Sequence, residues 1–276
     1  MHLGSLYAAA ASFLDARAHG GRWLLRVEDL DKPREVAGAT DGILKTLESF
    51  GFEWDGEIVY QSKRLEAYRA AVRDLHARRL TFACTCSRQQ LEDDLRYPGT
   101  CRAHASRDGV AHATRLKVDG GAITFKDRVQ GTFRQDVGAA VGDVILQRRD
   151  GIFAYLLAVV VDDAAQGITH VVRGADLLDN TPRQIYVQGQ LNLPQPAYAH
   201  VPVLMEDDGA KLSKSRRSLR LEQSAPLDQL LSVFSLLGLN VPHLSEFCAT
   251  RDAWQWAIAQ WSVDRVPKRL KLTIKA

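Results

Sequence analysis

The stretch RWLLRV, residues 22–27, constrains the fold more than any other part of the chain. It is a short, mostly apolar run set between segments of helical character. Such a run reads as a strand buried on both faces, which is the habit of a parallel sheet covered by helices. Before it, residues 5–18 carry helix formers and stop at Gly20-Gly21. After it, GATDGILKTLESFGFEW spaces Leu44, Leu47 and Phe50 for a helix that closes near Gly51, and LEAYRAAVRDLHARRL (65–80) predicts another amphipathic helix. A helix, strand, helix order predicts an α/β architecture.

The pattern changes between residues 81 and 140. Three cysteines come first, then the alternating TRLKVDGGAITFKDRVQGTF, which predicts the strands of an inserted subdomain. The long block from 143 to 178 is expected to return to β-rich apolar runs. NTPRQIYVQGQLNL predicts a helix with Thr181 as N-cap and Pro182 at its first position. AHVPVLM (199–205) predicts a further buried strand, and residues 216–276 are expected to be mainly helical.

At 276 residues, with 46% hydrophobic and 25% charged, the chain can bury a sizeable core. No run reaches the roughly 18 apolar residues of a membrane span. Asp15 and Arg17 interrupt the apolar start, which also lacks a basic leader, so no signal peptide is read and a cytoplasmic location is expected. A net charge of +3 permits a polyanionic partner without requiring one. The basic end VPKRLKLTIKA is read equally as a solvated tail or an RNA contact.

Three groups of residues suggest chemistry. In DDGAKLSKS, Lys211 and Lys214 can direct two ammonium groups at one polyphosphate, although such loops are also common on surfaces. In HLGS, Gly4 lets a nucleotide approach the backbone at a helix N-terminus, with His2 and Ser5 as hydrogen-bonding groups. The plainer reading has Ser5 as an ordinary cap and His2 as a loose terminal residue. Cys84, Cys86 and Cys101 cluster in a chain without a secretory signal, which favours a metal over disulfides. Three soft ligands suit zinc, and spacing alone names His104 as the fourth; three reduced cysteines without metal are the alternative. Cys248, beside Phe247, stands apart and is read as a buried or spectator thiol.

Together, HLGS near the start and KLSKS after a late strand resemble the paired signatures of class I aminoacyl-tRNA synthetases. LLRVEDLDKPRE and QRRDGIFAYLLAVVVDDAAQGITHVVRGADLLDNTPRQ resemble the glutamyl/glutaminyl branch, and the likeness runs over most of residues 1–215. Ser5 in place of a second His, the cysteine cluster and the short run after Ser215 resemble that branch's short members, which load glutamate onto queuosine in the anticodon of tRNA(Asp).

The resemblance implies a Rossmann-like parallel sheet with a zinc-bearing insertion. Residues 1–80 and 141–215 would form the two parts of the catalytic domain and 81–140 the insertion. Residues 216–276 would form a short helical region, with no anticodon-binding domain. It implies ATP with Mg2+, L-glutamate and queuosine-containing tRNA(Asp) as partners of a monomer, with no membrane. Lys214, helped by Lys211, would hold the phosphates, with His2, Gly4 and Ser5 opposite. Glu28 would meet the ammonium of glutamate and Arg173 its side-chain carboxylate, while Tyr155 lines the pocket. Each has a plainer reading: a solvated acid for Glu28, an ion pair with Asp176 for Arg173, an apolar-stripe aromatic for Tyr155. Asp162 and Asp163 are read as structural. The resemblance also makes Tyr97 the fourth ligand of a structural zinc, with His104 in reserve.

One departure stands out. The family's pattern has a strand and turn before the His-x-Gly step, with an Arg for glutamate, whereas Met1 directly precedes His2 here. The expectation is a sheet one strand short and a less stable, less active chain; an internal Leu codon read as an initiator is one explanation, and a truncated, inactive paralogue is the other. A fragment of an ordinary glutamyl-tRNA synthetase and a non-catalytic synthetase-like RNA-binding protein are the other readings.

Overall fold

The computed structural model describes residues 1–87, 90, 96–103, 109–206, 221 and 225–274. Helix α1 (Leu3–Ala18) starts on His2, whose ring accepts the Ser5 N–H, and ends before Gly20 at φ +63°, a left-handed turn that suits glycine. The expected strand over 22–27 is shorter than its apolar run. Only β1 (Arg26–Val27) forms a ladder, parallel to β2 (Val59–Tyr60), with α2 (Ala39–Ser49) crossing between them. Upstream, the carbonyls of Trp23 and Leu25 still accept the N–H groups of Asp55 and Val59. Helix α3 (Leu65–Ala77) follows.

The insertion builds β3 (Thr81–Cys84), β4 (Ala113–Leu116), the hairpin strands β5 (Ala122–Asp127) and β6 (Gly131–Asp136), and the short α4 (Val137–Ala140). Strand β7 (Val144–Gln147) then completes an antiparallel sheet of order β3-β4-β7. The next segment corrects an expectation. AYLLAVVVDDAAQ is not β-rich: it forms α5 (Tyr155–Gln166), stopped by Gly167 in the left-handed conformation. A strand would have aimed the adjacent Asp162 and Asp163 at opposite faces of a sheet. On the helix, both acids find arginine partners.

Strand β8 (His170–Gly174) leads to α6 (Thr181–Gln190) and β9 (Ala197–Val201). Thr181 is already helical; Asn180 occupies the cap position, with no side-chain cap bond. Thr181 instead spends its hydroxyl on Arg173 and His200. Strand β9 lies parallel to β8 and, through Asp127 and Tyr198, to β5, giving the order β6-β5-β9-β8. Strand β10 (Val203–Met205) precedes α7 (Pro226–Leu236), α8 (Thr250–Gln260) and β11 (Lys271–Thr273). The basic end is thus not merely a solvated tail, because β11 pairs in parallel with β10.

Two cores result. In one, α1, α7 and α8 pack around a ring cluster in which Phe13 and Phe52 each meet Trp254 at centroid distances of 4.8 Å. The other joins α3, α5, β4 and β7. Strands β1 and β8 belong to separate sheets, and a groove of about 710 Å3 runs between them under α1. Among the described residues, no helix is long and apolar enough to cross a membrane.

Candidate active site and metal centre

The groove ends in a cluster of charge. Arg26 of β1 reaches Asp163 of α5 at 2.9 Å and Glu28 at 3.7 Å, and its other terminal nitrogen donates to Gln166 at 2.7 Å. Poor hydration pushes the Glu28 carboxyl above its ordinary value, against the pull of Arg26, and the charges of Asp163 and Asp162 add to the rise. Asp163 is raised for the same first reason. Its neighbour Asp162 turns the other way, into bonds with Gln61, Arg64 and Tyr68 at 3.0, 2.5 and 2.6 Å. Asp162 is therefore structural as expected, whereas Asp163 lines the groove.

Arg173 of β8 lines the same groove. Its Nε donates to His200 at 3.2 Å, and its Nη2 to Thr181 at 2.9 Å and Gln184 at 2.7 Å. Behind it, His200 and Asp127 form a fully buried pair at 2.6 Å. Tyr155 opens α5, and its hydroxyl is raised by burial, with the Arg173 charge lowering it and the Glu28 charge raising it. Glu28, Tyr155 and Arg173, far apart in sequence, thus share one neighbourhood.

His2, Gly4 and Ser5 sit together at the start of α1. Ser5 Oγ lies 2.9 Å from His2 Nε2, and a Cβ on Gly4 would come within 3.2 Å of the His2 ring, which would have to shift by a few tenths of an ångström. His2 is consequently a cap and not a loose end. Lys211 and Lys214 lie outside the described residues.

The second constellation lies at the end of β3. The sulfurs of Cys84, Cys86 and Cys101 all fall within 4.8 Å of one another. Tyr97 places its hydroxyl 3.5 Å from Cys84 Sγ, where it also accepts the Cys101 N–H at 2.9 Å. Burial, Cys101 and Cys84 push the Cys86 thiol up to about 11. Burial also works against Cys101, but hydrogen bonds from the Thr85 backbone, Cys86 and Tyr97 bring it down to about 6. Three thiols and one phenol at these distances make a donor set that fits a soft divalent cation such as zinc. Arg115 stacks 3.8 Å from the centre of the Tyr97 ring and fixes its face. His104 lies outside the described residues.

Residues 1–271 match the family described as tRNA synthetases class I (E and Q), catalytic domain. The chain belongs to that family. It is 54% identical over 271 residues to the glutamyl-Q tRNA(Asp) synthetase of Ectopseudomonas mendocina, covering 97% of this chain and 91% of that protein. The protein of the same description from Pseudomonas aeruginosa is 52% identical, with 97% and 92% covered. Among solved structures, the glutamate-tRNA synthetase of Elizabethkingia anophelis superposes with a TM-score of 0.83 at 20% identity, covering 100% of this chain. A glutamate tRNA ligase of Elizabethkingia meningosepticum gives 0.80 at 20% identity over 98% of this chain. The chain spans 66% and 64% of those two structures, which speak for the class I fold alone.

Sequence reasoning missed Arg26, Asp127 and His200, and set Asp163 aside. The signal for the acid was there: a pair of aspartates inside an apolar run requires buried partners.

Proposed function

We propose that this protein activates glutamate with ATP and transfers it to queuosine in the anticodon of tRNA(Asp). One observation carries the reading: Glu28 and Arg173, an acid and a guanidinium, face one groove in a chain 54% identical to a glutamyl-Q tRNA(Asp) synthetase. A zwitterion with a second carboxylate needs that pairing, with Glu28 for the ammonium and Arg173 for the side-chain carboxylate. Tyr155, whose hydroxyl feels the charges of both Arg173 and Glu28, would line the pocket beside them.

In the first step an α-carboxylate oxygen of glutamate attacks the α-phosphorus of ATP, and pyrophosphate leaves. A queuosine hydroxyl then attacks the acyl carbonyl, and AMP leaves with the bonding electrons. The protein's part is placement and charge stabilisation, with no nucleophilic side chain. His2, Gly4 and Ser5 receive the nucleotide at the N-terminus of α1, and Lys214 and Lys211 steady the phosphates, which carry Mg2+. Cys84, Cys86, Cys101 and Tyr97 would hold a structural zinc, which would tie the end of β3 to the rest of the insertion. The protein works as a cytoplasmic monomer.

Glutamate-dependent exchange of pyrophosphate into ATP, followed by transfer to tRNA(Asp) with and without queuosine, tests this. Transfer is expected to require queuosine and to survive removal of the 3′-terminal adenosine. Transfer that needs the terminal adenosine instead would make this an ordinary glutamyl-tRNA synthetase. Absence of exchange would defeat the enzymatic reading altogether.

A further inference from the structure

Arg173 is held in an unusual way. A guanidinium has five N–H donors and is never deprotonated in a protein. Two of its nitrogens, Nε and Nη2, are committed to neutral acceptors: His200, Thr181, Gln184 and, at 3.5 Å, the Leu177 carbonyl. Nη1 has no hydrogen bond among the described residues. One edge of the fork is clamped and the remaining corner is left for the groove that Arg173 lines.

The clamp dictates the protonation of His200. Because Arg173 Nε can only donate, His200 Nε2 must be bare, and the ring proton must sit on Nδ1, 2.6 Å from Asp127 Oδ2. Asp127 cannot rotate away, since its other oxygen accepts the backbone N–H groups of Val129, Gln130 and His200 at 2.9, 2.8 and 3.1 Å. Asp127, His200, Thr181 and Gln184 are all at most 2% exposed, so water cannot substitute for any member. Burial, joined by the Arg173 charge, lowers the His200 pKa and keeps the ring neutral against the pull of Asp127.

We propose that Asp127 and His200 are positioning residues for amino-acid selection: Asp127 fixes the Nδ1–H tautomer of His200, whose bare Nε2 aims Arg173 into the groove. The inference rests on the reading of Arg173 as the group that holds the glutamate side-chain carboxylate. A hydroxyl or water in place of His200 could donate as well as accept, and would leave the guanidinium free to swing. The imidazole, with its proton locked on the far side, only accepts.

Asp127→Asn tests the idea, because it keeps shape and buries no new charge. Its amide is expected to turn its NH2 toward His200 Nδ1 while its oxygen keeps the backbone N–H groups. The ring proton then moves to Nε2, where it opposes the Arg173 N–H and displaces the guanidinium. The expected result is a rise in KM for glutamate of roughly ten- to hundredfold, the worth of one charge-assisted hydrogen bond. The value of kcat and the KM for ATP should stay near wild type.

Nitrogen-15 spectra of the imidazoles, with the His200 signal identified by its loss in His200→Gln, should show Nδ1–H in the wild type and Nε2–H in Asp127→Asn. A wild-type His200 protonated on Nε2, or on both nitrogens, overturns the proposal even if Asp127→Asn does not fold. So does a tautomer switch that leaves the KM for glutamate unchanged. Arg173→Lys separates the two levels. If it leaves that KM unchanged, the carboxylate reading itself falls. If it raises KM while a folded Asp127→Asn does not, only the positioning role falls.

Discussion

Asp15, at the α1 wall of the groove, is a residue whose removal should cost much stability. It lies on α1 at 3% exposure and accepts Arg128 through both oxygens, at 2.6 and 3.0 Å, and the Trp261 indole N–H at 3.1 Å. Three distant pieces of chain therefore meet at one carboxylate: α1, the turn between β5 and β6, and the segment after α8. Asp15→Ala leaves Arg128 without its counter-charge. Breaking a buried pair typically costs about 3–5 kcal/mol. Arg128 keeps 22% of its side chain exposed and can rehydrate in part, which favours the low end. The orphaned Trp261 N–H adds about 1 kcal/mol.

A loss of about 4 kcal/mol in urea titration is expected, or roughly 8–16 °C in Tm for a chain of this size. The pH dependence carries a second check. Burial would raise the Asp15 carboxyl, but hydrogen bonds from Arg128 and Trp261 and the charge of Arg128 hold it below its ordinary value. A carboxyl depressed in the folded state stabilises fully above its unfolded pKa, about 3.9, and that contribution disappears as pH falls through the folded value. The gap between wild type and Asp15→Ala should therefore narrow only in strong acid. A loss under about 1 kcal/mol at pH 7, or a gap unchanged at pH 2, would refute the reasoning.

Glu28 and Gly142 give two further expectations. The raised Glu28 carboxyl loses its charge at a higher pH than an ordinary carboxylate, so the KM for glutamate should climb as pH falls through that value. Glu28→Gln should start with the high KM and lack the acid limb; an identical limb in both proteins would assign it elsewhere. Gly142 has φ +75°, and a Cβ there would lie 2.4 Å from the Tyr97 carbonyl oxygen. Gly142→Ala should cost about 1–2 kcal/mol in backbone strain alone and, by shifting Tyr97, weaken zinc binding as measured by release to a chromogenic chelator; unchanged affinity would argue that Tyr97 is not a ligand.

Local signals were legible wherever one physical effect dominated. The helices at residues 3–18, 39–49 and 65–77 lie where apolar spacing and glycine stops put them. The cysteine cluster was legible because ligand chemistry depends on few residues at short range. The Tyr155–Gln166 helix was misread because a run of valines satisfies both a buried strand and a buried helix, and burial alone does not choose. Length and the paired aspartates would have decided it. The Asp127–His200–Arg173 chain could not be read at all: its members come from β5, β9 and β8, and their contact exists only once three strands are laid side by side. Arg26 was hidden in another way, since an arginine two residues before a glutamate looks like half of an ordinary solvated pair, and Glu28 itself was named only through the family resemblance.

The pairing of β10 with β11 has a consequence for synthesis. Strand β10 ends at Met205, shortly before the lysine segment, and its partner is Lys271–Thr273, with the Ile274 N–H closing onto the Met205 carbonyl at 3.0 Å. A nascent chain translated only as far as Lys214 cannot form that pairing, however complete its groove. At roughly 5–20 residues per second, several seconds pass before β11 emerges. The strand that leads into the lysine segment is thus completed only by residues made well after that segment, and displacing Lys271–Thr273 would act on it directly.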